Sequence, residues 1–309
     1  MWFDGPSSSL DEATNLAIVV FRSWWFDPFV ATLSFYVWIH IYWYYERRYG
    51  CCCSSTSPRF TNASDITNFF SIKSQPFRIT FGYWVGISML RCVIAAPQLP
   101  DGIPTSIIDG LFLGFEVVTG VVAYDFVFFF LHLAMHEIPT LRKYHSTHHQ
   151  HYNSGDPCNH PDVASYSSKK KNHVESRDVL RHSLVDATLQ VSVNVLVQRY
   201  NLLWFFTDKT RLARALHNVI VTWMLTESHT SSPKPYIWRR WFVGVREHRI
   251  HHAMPLANGR SCHVSNSDVT SPIYYGHHHR YQQFFGYLDD LRFQYVVSTR
   301  NERAKRKAK

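Results

Sequence analysis

"GLFLGFEVVTGVVAYDFVFFFLHLAMHEIPTLRKYHSTHH", residues 110 to 149, runs from an apolar stretch directly into two histidine motifs. Over residues 110–132 the only charged side chains are Glu116 and Asp125. A run of that length and composition reads as a helix able to cross a bilayer. Carboxylates at such depth are costly, which marks both residues as candidates for a functional role. At the end of the run, "HLAMH" sets His132 and His136 at i and i+4, on one face of a helix. "HSTHH" then sets His145, His148 and His149 at i, i+3 and i+4. The same spacing returns in "HRIHH", with His248, His251 and His252. Each motif projects its imidazoles from a single helical turn.

Two HxxHH motifs are not expected by chance, since this histidine content predicts roughly 0.07 copies. The eight imidazoles exceed the three or four ligands of a single zinc-type site, so they suggest two metals. Nitrogen-rich ligation suits iron, zinc, copper or nickel. Neither HxxHH contains the carboxylate base that a hydrolytic HExxH site carries.

Outward from this stretch the chain alternates apolar and polar segments. Residues 28–45 carry no charge and read as a span with interfacial Trp and Tyr. Residues 79–97 form another apolar run, interrupted by Arg91, and 97–104 is a Pro/Gly turn. Residues 51–76 and 150–182 are polar and read as loops. The runs 191–206 and 212–226 are short for full crossings, which favours a re-entrant or shallow helical hairpin. The expected fold is therefore an all-α integral membrane protein. It has about four membrane helices, re-entrant ones counted among them, and a cytosolic helical cap rich in histidine. If "ERR" (46–48) is cytosolic, all the histidine motifs and the basic C-terminus fall on that same side, in keeping with the positive-inside rule. The expected organisation is 1–104 for N-terminal membrane helices and loop, 105–295 for the catalytic domain and 296–309 for a basic cytosolic tail.

The composition narrows the classes further. Of 309 residues, 18% are charged and 16% aromatic, and the net charge is +9. The tail "RNERAKRKAK" supplies much of that charge, which suits an anionic membrane face. No basic motif is interleaved with base-stacking aromatics, so nucleic acid is not an expected partner. Three of the six cysteines are contiguous and no CxxC occurs, a pattern that fits a reducing compartment. The N-terminus lacks the pattern of a cleaved signal peptide.

The order HxxxH, HxxHH, HxxHH, with membrane helices between, resembles the fatty acid hydroxylase/sterol desaturase superfamily. The resemblance covers roughly residues 105 to 295. It extends to "RHSL" (181–184), "HNVIVTWMLTESHTSSP" (217–233) and "FFGYLDDL" (284–291), and is nearest to the sterol C4-methyl oxidase and sterol hydroxylase branch. Where that branch has His-Ser-Gly, this chain has His229, Thr230 and Ser231.

The resemblance implies an iron-dependent oxidoreductase of the endoplasmic reticulum membrane with two irons per chain. The metal ligands would be His132, His136, His145, His148, His149, His248, His251 and His252, with His182 and His229 as further candidates. Asp125 and Glu227 would support the ligands from behind. The reaction would be O2-dependent hydroxylation or desaturation of a lipid. A sterol is the first choice, and a fatty acid or sphingolipid the alternative. No nicotinamide or flavin fingerprint is present, so electrons would come from cytochrome b5 and its reductase. Lys305 and Lys307 occupy the positions of a dilysine retrieval signal. The rival from another class is a histidine-rich membrane metal transporter.

Overall fold

The computed structural model describes residues 9–23, 25–49, 77, 80, 81, 83, 84, 87, 100–149, 179–201, 207–230, 248, 251 and 284–307. These residues are mostly helical. The helices are α1 (Ser9–Arg22), α2 (Phe26–Tyr49), α3 (Ile107–Glu137), α4 (Pro139–His149), α5 (Leu184–Arg199), α6 (Arg211–Ser228) and α7 (Tyr287–Lys307). Between α5 and α6 lies a small antiparallel ribbon, β1 (Tyr200–Asn201) and β2 (Thr207–Asp208), pairing Tyr200 with Asp208. α7 runs through residue 295, where the sequence suggested a domain boundary.

Helix α3 is the axis of the fold. Its start is set by a capping box in which Ser106 accepts from the Asp109 N–H while the Asp109 carboxylate accepts from the Ser106 N–H. Its end is set by Pro139. The residue before a proline avoids the helical region, and Ile138 is extended at φ −86°, ψ 119°. Proline then opens α4, where its missing N–H costs nothing. The break turns the chain between HxxxH and the first HxxHH.

Around α3, the residues Val121, Tyr124, Phe128, Val193, Val197, Val221, Met224 and Phe284 form one buried apolar cluster. Helix α2 packs along α6, where two indoles give the contact direction. Trp38 Nε1 donates to the Val219 carbonyl at 3.2 Å, and Trp223 Nε1 donates to the Tyr42 hydroxyl at 2.7 Å. The Arg214–Asp27 ion pair, 2.6 Å and largely buried, ties the same two helices.

The two carboxylates in the apolar run prove to be structural anchors in their described contacts. Glu116 accepts from the Thr210 N–H at 2.7 Å and the Thr210 hydroxyl at 3.0 Å, fixing the N-cap of α6. Asp125, fully buried, accepts from the N–H groups of Phe284 and Phe285 at 2.7 and 3.2 Å. It thereby tethers the start of the C-terminal segment to the middle of α3.

The membrane expectation is met only in part. Among the described residues, α3 is the one helix that is by itself long and apolar enough to cross a membrane. Helix α2, which holds the uncharged run 28–45, reaches that standard only jointly with Thr14–Arg22, across a 95° bend. The physical reason is composition: six of the eighteen residues 28–45 are Tyr or Trp, joined by Thr32, Ser34 and His40, and these are less apolar than the Leu, Val and Phe of α3. The apolar run 79–97 lies almost wholly outside the described residues. The runs 191–206 and 212–226 correspond to two separate helices, α5 and α6, with α5 stopping at Arg199 before the ribbon.

The buried Arg214–Asp27 pair yields a stability prediction. Asp27→Ala takes the paired carboxylate away from a largely buried guanidinium and should cost about 3–5 kcal/mol, and Asp27→Ala with Arg214→Met should recover most of it. Thermal unfolding of the three proteins checks this.

Candidate metal centre

Helix periodicity and the Pro139 break carry the histidines to one place. His132 and His136 leave the last turns of α3, and His145, His148 and His149 leave the last turns of α4. His229 is the C-cap of α6, its N–H bonded to the Thr226 carbonyl at 3.1 Å. His248 and His251 approach from the second HxxHH. They assemble into two adjoining groups. His132, His136, His145, His149 and His251 form one, and His148, His229 and His248 the other. Either group can hold a metal ion.

The geometry within each group is that of a ligand shell. The Nε2 atoms of His132 and His136 lie 3.2 Å apart, those of His145 and His149 3.1 Å, and those of His132 and His251 3.1 Å. In the second group His148 and His229 are 3.4 Å apart at Nε2, and His229 and His248 3.0 Å. A cation bound at about 2.0–2.1 Å per nitrogen sets neighbouring ligands on the order of 3.0–3.4 Å apart, across octahedral to tetrahedral geometry. A neutral imidazole carries one N–H, so mutual hydrogen bonds cannot satisfy five converging Nε2 atoms. A central cation satisfies all of them at once.

The outward nitrogens support this orientation. His145 Nδ1 donates to Asp186 Oδ2 at 3.2 Å, His148 Nδ1 to the Arg181 carbonyl at 3.2 Å, and His229 Nδ1 to the Leu225 carbonyl at 2.8 Å. Each bond places the proton on Nδ1 and leaves the Nε2 lone pair facing inward. Burial, followed by the neighbouring imidazoles, holds the pKa values of His148 and His251 well below the ordinary histidine value. Both are therefore neutral, as ligands must be.

His182 belongs to neither group. Its Nδ1 faces Asp186 Oδ2 at 2.9 Å, its Nε2 faces the Val179 carbonyl at 2.8 Å, and its ring stacks on His148 at 4.1 Å. It braces a ligand. His229, by contrast, joins the three-histidine group. His252 lies outside the described residues. Of the two proposed supporting acids, Asp125 accepts from the N–H groups of Phe284 and Phe285, and the Glu227 charge acts on Tyr42.

The supporting acid that sequence reasoning missed is Asp186. Its buried carboxylate joins His145 and His182 through Oδ2 and accepts from Gln190 Nε2 through Oδ1 at 2.9 Å. The available signal was the spacing in "HSLVD": Asp186 is i+4 from His182, the relation that pairs side chains across one turn.

A cavity leads to the centre. Ala31 and Phe35 of α2, Tyr124 and Phe128 of α3, Val191 of α5 and Leu225 of α6 give it apolar walls. His132, His145, His148, His182 and His229 close one end. An apolar molecule in this cavity would lie against nitrogens of both histidine groups.

No family model, curated protein or solved structure matches the chain.

Two predictions follow from the site. Asp186→Asn keeps every ligand but weakens the hold on His145, so metal affinity should fall about 10–100-fold in chelator competition. Acidification should act in a defined direction. Below the ordinary histidine pKa of 6.5 the unfolded chain takes up protons that buried His148 and His251 refuse. Stability and metal retention should therefore be full above about pH 6.5 and decline as pH falls below it. Metal content after equilibration across that range checks the sign.

Proposed function

We propose that this protein is a membrane-bound, iron-dependent oxygenase that hydroxylates or desaturates a lipid. The observation that carries the reading is an apolar cavity ending on two adjoining groups of buried imidazoles. Nitrogen-only ligation beside an apolar chamber fits oxidation of an unactivated C–H bond better than hydrolysis, which would call for a carboxylate base facing the metal, whereas Asp186 is engaged by His145, His182 and Gln190.

Two iron ions would be held, one by His132, His136, His145, His149 and His251, the other by His148, His229 and His248, with His252 a further ligand. Bound iron supplies O2 activation. The chain's own part is to hold the imidazoles neutral, exclude water and aim one carbon of the substrate at the centre. Phe128 and Leu225 wall the approach, while Asp186 and the Arg181 carbonyl keep ligand nitrogens turned inward.

Membrane residence is supported by the outer face of the bundle. On α3, Leu111, Phe112, Phe115, Val118, Phe126 and Phe130 are exposed, Leu111 at 69% and Val118 at 61%. On α2, Phe29, Leu33, Val37 and Ile41 form a matching exposed stripe at i, i+4 spacing. Apolar stripes of this length are at home against lipid. Helix α3 has 31 residues, roughly 46 Å, which exceeds a hydrocarbon core of about 30 Å and carries His132 and His136 beyond it. A cytosolic histidine cap, residence in the endoplasmic reticulum and electron supply by cytochrome b5 and its reductase complete the proposal. Among lipids, a sterol is the first choice and a fatty acid or sphingolipid the second.

The test is expression of wild type and His148→Ala in a host lacking the activity, with lipid analysis by mass spectrometry. Wild type should yield a hydroxylated or desaturated lipid and about two irons per chain. His148→Ala should yield neither the product nor the full metal content. Bound zinc without O2 uptake, or an unchanged product profile in the variant, overturns the proposal.

A further inference from the structure

The cavity is apolar in its walls but not at the end away from the histidines. Asn194 of α5 and Thr222 of α6 both line it there. On α3, Tyr124 lies eight residues from His132, and on α6 Thr222 lies seven from His229, so the two ends are roughly 10–12 Å apart.

The hydrogen bonds of these two residues leave a defined remainder. The Asn194 Oδ1 accepts from Gln198 Nε2 at 3.0 Å and from His217 Nε2 at 3.1 Å. Its Nδ2 donates to Asn218 Oδ1 at 3.1 Å, which uses one of two N–H groups. Thr222 donates its hydroxyl to the Asn218 carbonyl at 2.8 Å, leaving oxygen lone pairs that accept. Asn218 and Gln198, both buried, lock the arrangement from behind through their own amide pairing. Asn194 and Thr222 thus offer one N–H donor and one hydroxyl acceptor to a cavity that is also lined by Thr32, Thr80 and Tyr83 and has no charged side chain other than histidine among its described lining residues. A carboxylate or phosphate would find no cation to pair with among them. A hydroxyl, which accepts once and donates once, uses both.

We infer that Asn194 and Thr222 recognise an alcohol on an otherwise apolar substrate, and that this alcohol lies on the order of 10 Å from the carbon presented to the metal centre. The inference rests on the reading of the cavity as the substrate site and deepens it: oxidation would occur far from the alcohol, not on the adjacent carbon.

The same chemistry occurs on an alkyl chain and on a fused-ring sterol, and the test has an arm for each. Purified full-length protein in nanodiscs is titrated with a long-chain primary alcohol and its methyl ether, and with a sterol and its 3-methyl ether. Methylation removes the donor and crowds the acceptor side. In at least one arm the wild type should bind the alcohol about tenfold or more tightly than the ether. Thr222→Val, which keeps shape and loses the acceptor, should reduce that preference to about threefold or less, whereas Thr222→Ser should retain it. The result that overturns the inference is equal binding of alcohol and ether in both arms, or a preference that Thr222→Val leaves intact. Binding is read without turnover. A protein that selects the alcohol yet oxidises nothing would sink the oxygenase reading alone, and one that oxidises lipid without selecting the alcohol would sink this inference alone.

Discussion

The convergence of lone pairs dominates this molecule. Nε2 atoms held 3.0–3.4 Å apart and cut off from water repel one another unless a proton or a cation sits among them. Protonation is the costly answer, because burial already pushes His148 and His251 away from the charged form. A metal ion, which either group could hold, would engage these lone pairs together. The orientation of the rings suits that use. Asp186, the Arg181 carbonyl and the Leu225 carbonyl each hold an Nδ1 proton, so that each Nε2 arrives at the centre as a lone pair.

Helix α3 shows why the histidines can be so placed. Its register delivers His132 and His136 on one face, and that same register places Tyr124 and Phe128 along the cavity wall. Pro139 then ends the helix at the point where a continued helix would carry the next motif away along the axis. The short α4 instead brings His145, His148 and His149 back toward the centre. The carbonyls that end α3 are met by a cation from the next helix: Arg142 donates to the His136 carbonyl at 2.7 Å and to the Glu137 carbonyl at 3.2 Å.

The parts of this arrangement that were legible in the sequence are those written as local spacing. The i, i+4 pair His132/His136 and the i, i+3, i+4 triplet His145/His148/His149 are set by helical geometry alone, and so was their common face. The role of His229 was visible as a candidate only, because its partners His148 and His248 are remote in the chain. His182 looked equivalent, yet its two nitrogens are taken by Asp186 and the Val179 carbonyl, a distinction of tertiary geometry. Asp125 shared the face of His132 by periodicity, but a helix face wide enough to hold both also meets the returning C-terminal segment. There the backbone N–H groups of Phe284 and Phe285 engage its carboxylate. The count of membrane helices suffered from a similar limit: Tyr and Trp rings make a segment uncharged without making it as apolar as Leu or Val.

The end of the bundle opposite the histidines explains how the cavity stays open. There the polar groups act as brackets between elements: Arg22 with Asp101, Arg214 with Asp27, and Glu116 with Thr210. Lys209 is buried among them, and its ammonium occupies the place where a Cβ on Gly120 would stand, so a larger residue at that point of α3 would displace the lysine's end and press on His217. These brackets fix the spacing of α2, α3 and α6 at one end, as metal coordination by the imidazoles would at the other. Apolar side chains between the two ends are then relieved of setting the distance between helices. A core that had to do so would close on itself to native density. Held apart from both ends, it can leave a chamber whose walls are Ala31, Phe35, Phe128 and Val191 and whose ends are polar for different reasons. The histidine end is polar because two groups of imidazoles that could hold a metal ion gather there. The end at Asn194 and Thr222 is polar because both bond to Asn218, whose Nδ2 donates to the Asp27 carbonyl at 3.5 Å, so the cavity there lies against the network that brackets α2, α5 and α6.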